Sequence, residues 1–404
     1  MVGSMAFRGQ PSFKFGIEEE YFLVSLATCA LVSEPPKQML DECAAELGDR
    51  FVTEYQRSQV EVATKVCTSM SAARADLAHL RNTVAVIASS YGLAPIAAST
   101  HPFTAWRTQR HADKQRYNAI AQDLKGVGRR MVISGMHVHV GIDDEEQRIA
   151  LMNEMRGFLP LLLALSTSSP FWQGDNTGLK SYRTAINDAT PRKGIPEWFA
   201  SWSDYCRTVE TLVRSGVIED ATKIWWDLRP SARFPTLELR ITDVCPLLDD
   251  ALCIAAVFRC LCRSLLRRRD RGQPSPNEPL VLLNENRWRA QRYGLEHGFI
   301  DIRKGAISSS ANVLDDTLAM IREDAECLDS NAEIDHARTI LARGTSADRQ
   351  IALYQRELAR GLNSSAALKS VVDQLAMETV SGAQLCWPSD APKDLKTPWP
   401  AHPI

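Results

Sequence analysis

Four stretches of the chain alternate apolar residues with residue types that ligate metals or meet phosphate. In Gly16-Ile17-Glu18-Glu19-Glu20-Tyr21, Glu18 and Glu20 lie two positions apart. In Gln59-Val60-Glu61-Val62-Ala63, Glu61 stands between valines. Gly135-Met136-His137-Val138-His139-Val140 alternates His with Val, and Thr236-Leu237-Glu238-Leu239-Arg240-Ile241 alternates Glu and Arg with Leu and Ile. Successive strand side chains point to opposite faces. Each stretch therefore has an apolar face and a face of Glu, His and Arg, not the Lys, Thr and Ser of an ordinary wet surface. Carboxylates gathered on one surface repel each other unless cations sit among them. Hard divalent cations take oxygen ligands and pair with phosphates, and one imidazole is acceptable in such a set. A lone Glu on a strand is usually just solvated, and His137-x-His139 alone fits a zinc pair as well as a structural face. The bias shared by all four stretches points to a metal and phosphate site in an enzyme that handles an anionic substrate.

Elements must hold these residues together. Strands are expected over 14–24, 50–55, 58–64, 93–98, 130–142, 223–228 and 236–243, the second and third close enough to form a hairpin. Helical stripes run over 71–91, 145–165, 204–216, 249–269, 313–329, 346–361 and 365–380. Residues 168–196 read as a long ordered loop carrying Phe171, Trp172 and Tyr182. Strands dominate the first two thirds and helices the last. The expected fold is α+β: a curved, mostly antiparallel sheet with helices on one face. One catalytic domain is expected over 13–380, between a flexible N-terminus (1–12) and an irregular, Pro-rich tail (381–404).

Composition narrows the function classes. The chain has 404 residues, 45% apolar and 24% charged, the balance of a globular protein. Lys plus Arg (47) nearly equals Asp plus Glu (49), which argues against a nucleic-acid partner. Arg267-Arg268-Arg269 with Arg271 reads as a helix C-terminus, where cations are favoured. The apolar run 158–165 is too short to cross a bilayer. The 10 cysteines form no CxxC pair, so reduced, buried thiols in a cytoplasmic protein are expected.

The motifs resemble, in order, those of the glutamate–cysteine ligase type 2 family, the YbdK-like carboxylate–amine ligases. Besides the stretches above, the likeness includes Ser169-Pro170-Phe171-Trp172-Gln173-Gly174, Thr177-Gly178 to Ser181-Tyr182-Arg183, Trp226-Asp227-Leu228-Arg229-Pro230-Ser231, and Asn286-Arg287-Trp288 to Arg292-Tyr293-Gly294-Leu295. It covers roughly residues 13–375. The resemblance implies a fold similar to the glutamine synthetase catalytic domain, whose concave sheet face binds ATP and Mg²⁺ or Mn²⁺. It implies that ATP phosphorylates a carboxylate, classically that of glutamate, and that an amine, classically cysteine, attacks the acyl phosphate. By motif position, Glu18, Glu20, Glu61, His137 and Glu238 would be metal ligands, with Glu54 a looser match. Arg240 and Glu61 would be catalytic, Arg240 meeting the transferred phosphoryl group. Arg183, Arg229 and His139 would touch substrate, and Arg292 and Arg349 the nucleotide. Arg183 fits equally well as a residue that orders its own loop, and Gly344 to Arg349 reads foremost as a helix start. Trp225 and Trp226 are expected in the core. The partners would be a small amino acid and an amine, with no nucleic acid or membrane, and a homodimer left open. A ligase of the same mechanism acting on a different amine or acid, a zinc hydrolase built on His137 and His139, and a non-catalytic nucleotide-binding module are the competing readings.

Overall fold

The computed structural model describes residues 11–382. The flexible N-terminus and the irregular tail expected at the two ends thus lie almost wholly outside the described residues.

The sheet is built from β1 (Phe15–Ser25), β2 (Phe51–Thr53), β3 (Gln59–Ala63), β4 (Leu93–Ile96) and β5 (Met136–Gly141). A two-strand hairpin, β6 (Phe171–Trp172) and β7 (Asp175–Asn176), stands apart from it. The sheet is completed by β8 (Leu228–Pro230) and β9 (Thr236–Leu239). Its order is β2-β3-β1-β5-β9-β8, with β4 also pairing β1, and every pairing is antiparallel. The α+β expectation holds.

Alternation decides what each face packs against. Ile17, Tyr21, Val60, Val62, Val138, Leu237 and Leu239 are buried in one core. That side is covered by the helices Met70–Ser89 and Leu248–Asp270. Ser69 caps the first of these, its side-chain oxygen accepting from Ala72 N–H. Gly92, at φ +69°, ends the connection to β4 in a conformation that favours glycine. The second helix buries most of its length, Ala251 to Cys262 included. The Arg267–Arg271 cluster falls at its end, where Arg267 pairs with Asp324 and Glu323, and Arg269 with Glu154. This explains a basic run without nucleic acid.

Several expectations need correction. The strand expected over 130–142 begins only at Met136. A helix at Gln115–Arg129 precedes it, with a kink at Lys125. The strand expected over 223–228 is instead β8, after a short 3₁₀ turn at Ala221–Lys223. The loop 168–196 holds the β6–β7 hairpin and a short helix at Tyr182–Asn187. Helices at Lys37–Leu47, Leu280–Tyr293 and Asn331–Arg343 had not been read from the pattern. Residues 145–166 are long and apolar enough to span a membrane, but 78% of that window is buried inside the protein.

Candidate active site

The strand register assembles the polar face. Glu20 of β1 sits opposite Glu61 of β3, and Glu18 opposite His137 of β5. His139 lies opposite Glu238 of β9, which in turn faces Arg229 of β8. Glu18, Glu20, Glu54, Glu61, His137, His139, Glu238 and Arg240 all line one cavity of about 460 Å³, as do Arg183 and Arg229. Residues from separate strands meet because each keeps the same two-residue phase.

Ligand atoms come close together twice. Glu18, His137 and Glu238 offer atoms within 4.8 Å of one another, and so do Glu20, Glu61 and His137. His137 Nδ1 lies 3.2 Å from Glu18, and His139 Nε2 lies 3.3 Å from the other oxygen of the same carboxylate. His139 Nδ1 is 3.0 Å from Thr236 Oγ1. Glu20 accepts the backbone N–H of Gly135 at 2.7 Å. Gly135 is required here: a Cβ on it would lie 2.4 Å from the Arg183 guanidinium.

The charges are not balanced evenly. Burial opposes ionisation of Glu18, but the hydrogen bonds from His137 and His139 outweigh it and hold the carboxyl well below its usual range. Burial pushes Glu20 up to about 7, with help from Glu54. Burial, then Glu54, Glu18 and Glu20, push Glu61 well above the usual range. Glu54 is raised by burial too, although it accepts Tyr55 N–H. Burial disfavours the Glu238 anion, yet Arg240 and Arg229 more than offset it and lower its pKa. Burial and then Arg240 bring His137 down to about 4, keeping its ring neutral and free to ligate. The Glu61 side chain, half-buried, makes no hydrogen bond or ion pair among the described residues. A carboxylate removed from much of the solvent without a partner, and ringed by others, calls for added positive charge. Carboxylate oxygens with one neutral imidazole and no sulfur suit Mg²⁺ or Mn²⁺ better than a soft metal.

A family model described as Glutamate-cysteine ligase family 2 (GCS2) matches residues 14–370. The chain belongs to this family. It is an ATP-dependent ligase of the glutamate–cysteine ligase type. It is 50% identical to a Rhodospirillum rubrum protein provisionally named glutamate–cysteine ligase 2, over 92% of this chain and 97% of that one. A Jannaschia relative under the same provisional name is 49% identical, over 90% and 96%. Among solved structures, the glutamate–cysteine ligase of Francisella tularensis, in complex with AMP, aligns with a TM-score of 0.67 at 12% identity, over 93% of this chain and 90% of that one. A bifunctional glutathione synthetase from Pasteurella multocida aligns at 0.66 and 15%; this chain spans only 54% of its length. At such identities the likeness shows the fold.

The ligase does not bring every expected residue to the cavity. Arg292 donates to the Gly178 carbonyl and lies over the ring of Tyr293. Arg349 pairs with Glu378 at 2.8 Å and donates to the Gly344 carbonyl. Neither lines the cavity. Arg349 follows a capping box of Thr345 and Asp348, as its helix-start reading had it. Arg183 lines the cavity, yet it donates to the carbonyls of Ile241 and Arg240 and so anchors the segment after β9. Arg229 reaches both oxygens of Glu238 and the carbonyls of Thr222 and Ile224. Trp226 packs against the core as expected, whereas Trp225 lines the cavity. Lys114, Tyr117, Lys193 and Phe234 also line it, on the kinked helix and on loops whose composition carries no period to single them out.

Proposed function

We propose that the chain joins the side-chain carboxylate of glutamate to an amine, classically that of cysteine, through an acyl phosphate. The observation that carries this reading is Glu61, half-buried and without a side-chain partner among the described residues, set among carboxylates across the sheet from Arg240, in a chain of a ligase family. Glu18, Glu20, Glu54, Glu61, His137 and Glu238 would hold Mg²⁺ or Mn²⁺. Such ions, when bound, offset the charge between a triphosphate and an incoming carboxylate.

The chain's own groups then have separate tasks. Glu238 fixes Arg240 through Nη1, and Arg229 fixes Glu238 from the other side. Only Nη1 of Arg240 is hydrogen-bonded among the described residues, which leaves Nε and Nη2 for oxygens of a transferring phosphoryl group. A carboxylate oxygen of the acid attacks the γ-phosphorus, and the bond to the ADP oxygen breaks. The amine nitrogen, having lost a proton, attacks the acyl carbon, and the C–O bond to phosphate breaks. The products are an amide, ADP and phosphate. His139 and Phe234, ring centroids 6.2 Å apart, line the cavity together, where they would meet the amine substrate. The reading puts the reaction in the cytoplasm, in keeping with the free, mostly buried thiols among the described residues.

Phosphate release from ATP and Mg²⁺, across a panel of amino acids and amines, tests this when the products are weighed by mass spectrometry. Substrate-dependent ADP and phosphate with a new amide are expected. AMP and pyrophosphate would replace the acyl phosphate with adenylation, and turnover with zinc and no ATP would make the site a hydrolase.

A further inference from the structure

Arg183 and Arg229 of the cavity wall are tied to the protein itself, through Glu238 and backbone carbonyls. Lys193 differs. It lines the same cavity, half-buried, and no hydrogen bond or ion pair holds its ammonium among the described residues. Its Nζ lies over the ring of Trp225, 5.7 Å from the centroid.

The loop that carries Lys193 is firmly built. Trp225 N–H donates to the Arg192 carbonyl at 3.0 Å, and Asp227 N–H to the Gly194 carbonyl at 2.9 Å. Lys193 therefore sits between two backbone clamps. Arg192 has φ +57° and Gly194 φ +90°. Positive φ at a non-glycine residue such as Arg192 persists only where the surroundings impose it. Arg287 braces the loop from behind, bridging Asp227 at 2.6 Å and Asp188 at 2.8 Å. Nothing in this scaffold serves the lysine's own packing.

The charges that act most on Lys193 are Arg240, Arg183, Asp227 and Arg229, three cations and one anion. Burial, then those arginines, push its ammonium well below the usual lysine range. An amine set among cations with no ion pair of its own marks a place where a ligand's negative charge would restore the ammonium. On the ligase reading, Glu20 and Glu61 would hold the metal ions that offset the charge of the phosphates, at the carboxylate end of the cavity. The other anion in the reaction is the acid substrate.

We propose that Lys193 is a substrate-binding residue that holds a carboxylate of the amino-acid substrate, over the face of Trp225. This rests on the ligase reading given above. It makes the loop 188–195 the part of the chain that selects an acid with a second carboxylate.

The test measures binding of L-glutamate and of Mg·ATP separately, by calorimetry and by apparent KM, in the wild type, Lys193→Met and Lys193→Arg. Losing one hydrogen bond to a charged group should weaken glutamate by about 10- to 100-fold in Lys193→Met. Lys193→Arg should recover most of that, Mg·ATP should stay within about twofold, and the melting temperature should hold. Weakened Mg·ATP with unchanged glutamate would overturn the carboxylate assignment in favour of a phosphate contact. Unchanged affinities, or a general loss together with a lower melting temperature, would overturn it outright. A wild type that neither binds nor uses glutamate would overturn the substrate reading, and this assignment with it. That failure is distinguishable, because a fault in Lys193 alone leaves wild-type glutamate use intact.

Discussion

Strand β1 presents three consecutive glutamates to two different environments. Glu19 points into the core, fully buried, and every oxygen is satisfied. Arg81 grips it at 2.6 and 2.9 Å, and Tyr21 donates at 2.5 Å. Arg81 also donates to the carbonyls of Cys245, Pro246 and Thr379, tying the strand to distant segments of the chain. Glu18 and Glu20 point the other way, toward Glu61, which has no partner among the described residues. One residue type on one strand thus does two jobs. Where the protein completes the hydrogen bonding, the group holds the fold together. On the open face Glu18 and Glu20 have partners of their own, and Glu61 beside them, left without one among the described residues, awaits something from outside.

The largest effect expected on this contrast is at the saturated pair. Arg81→Met strands Glu19 in the core and should cost about 3–5 kcal/mol of stability in denaturant unfolding. A loss under about 1 kcal/mol would erase the distinction between the two faces. Next comes Arg240→Lys on the open face. It keeps the charge and loses the planar fork, so kcat should fall about 10²–10³-fold at an unchanged melting temperature. Near-normal turnover would remove Arg240 from the reaction.

His101 extends the saturated class. One ring nitrogen bonds the Cys29 carbonyl and the other accepts N–H groups of Phe103 and Thr104. Burial lowers its pKa from 6.5 to about 4. The unfolded chain takes up the proton first, so this group's stability is complete above about pH 6.5 and is lost as pH falls towards 4. The loss should approach about 3 kcal/mol, from 1.36 kcal/mol per unit. Stability curves for the wild type and His101→Gln should therefore converge towards low pH. The smallest effect belongs to Glu61→Gln. With no partner to lose, it should leave the stability of the metal-free protein within about 1 kcal/mol of the wild type.

What could be read in the sequence follows from period. Glu18, Glu20, Glu61, His137 and Glu238 sit on strands whose apolar partners alternate strictly, so their common face was legible before any coordinates. The role of Glu19 was not. A triplet of glutamates carries no mark that the middle one meets Arg81, 62 residues on. Lys193 and Trp225 were also hidden, because loops place residues by local backbone geometry, not by a repeat. That Arg292 and Arg349 stand off the cavity has a related reason. Position within a motif says which segment a residue belongs to, while the acceptors that claim its guanidinium come from elsewhere in the fold. The helix Gln115–Arg129 escaped notice because only Ile120 and Gly128 are buried along it, too few to make an apolar stripe.

The central claim is that the unsatisfied carboxylates are there to bind metal and nucleotide. Glu61 tests it more cleanly than Glu238, which also holds Arg229 and Arg240 in place. The decisive measurement is a calorimetric titration of Mg·ATP into the wild type and Glu61→Gln, with melting temperatures recorded alongside. At least about a tenfold loss of affinity at unchanged stability is the result this account predicts. Wild-type affinity in a well-folded Glu61→Gln protein would contradict it.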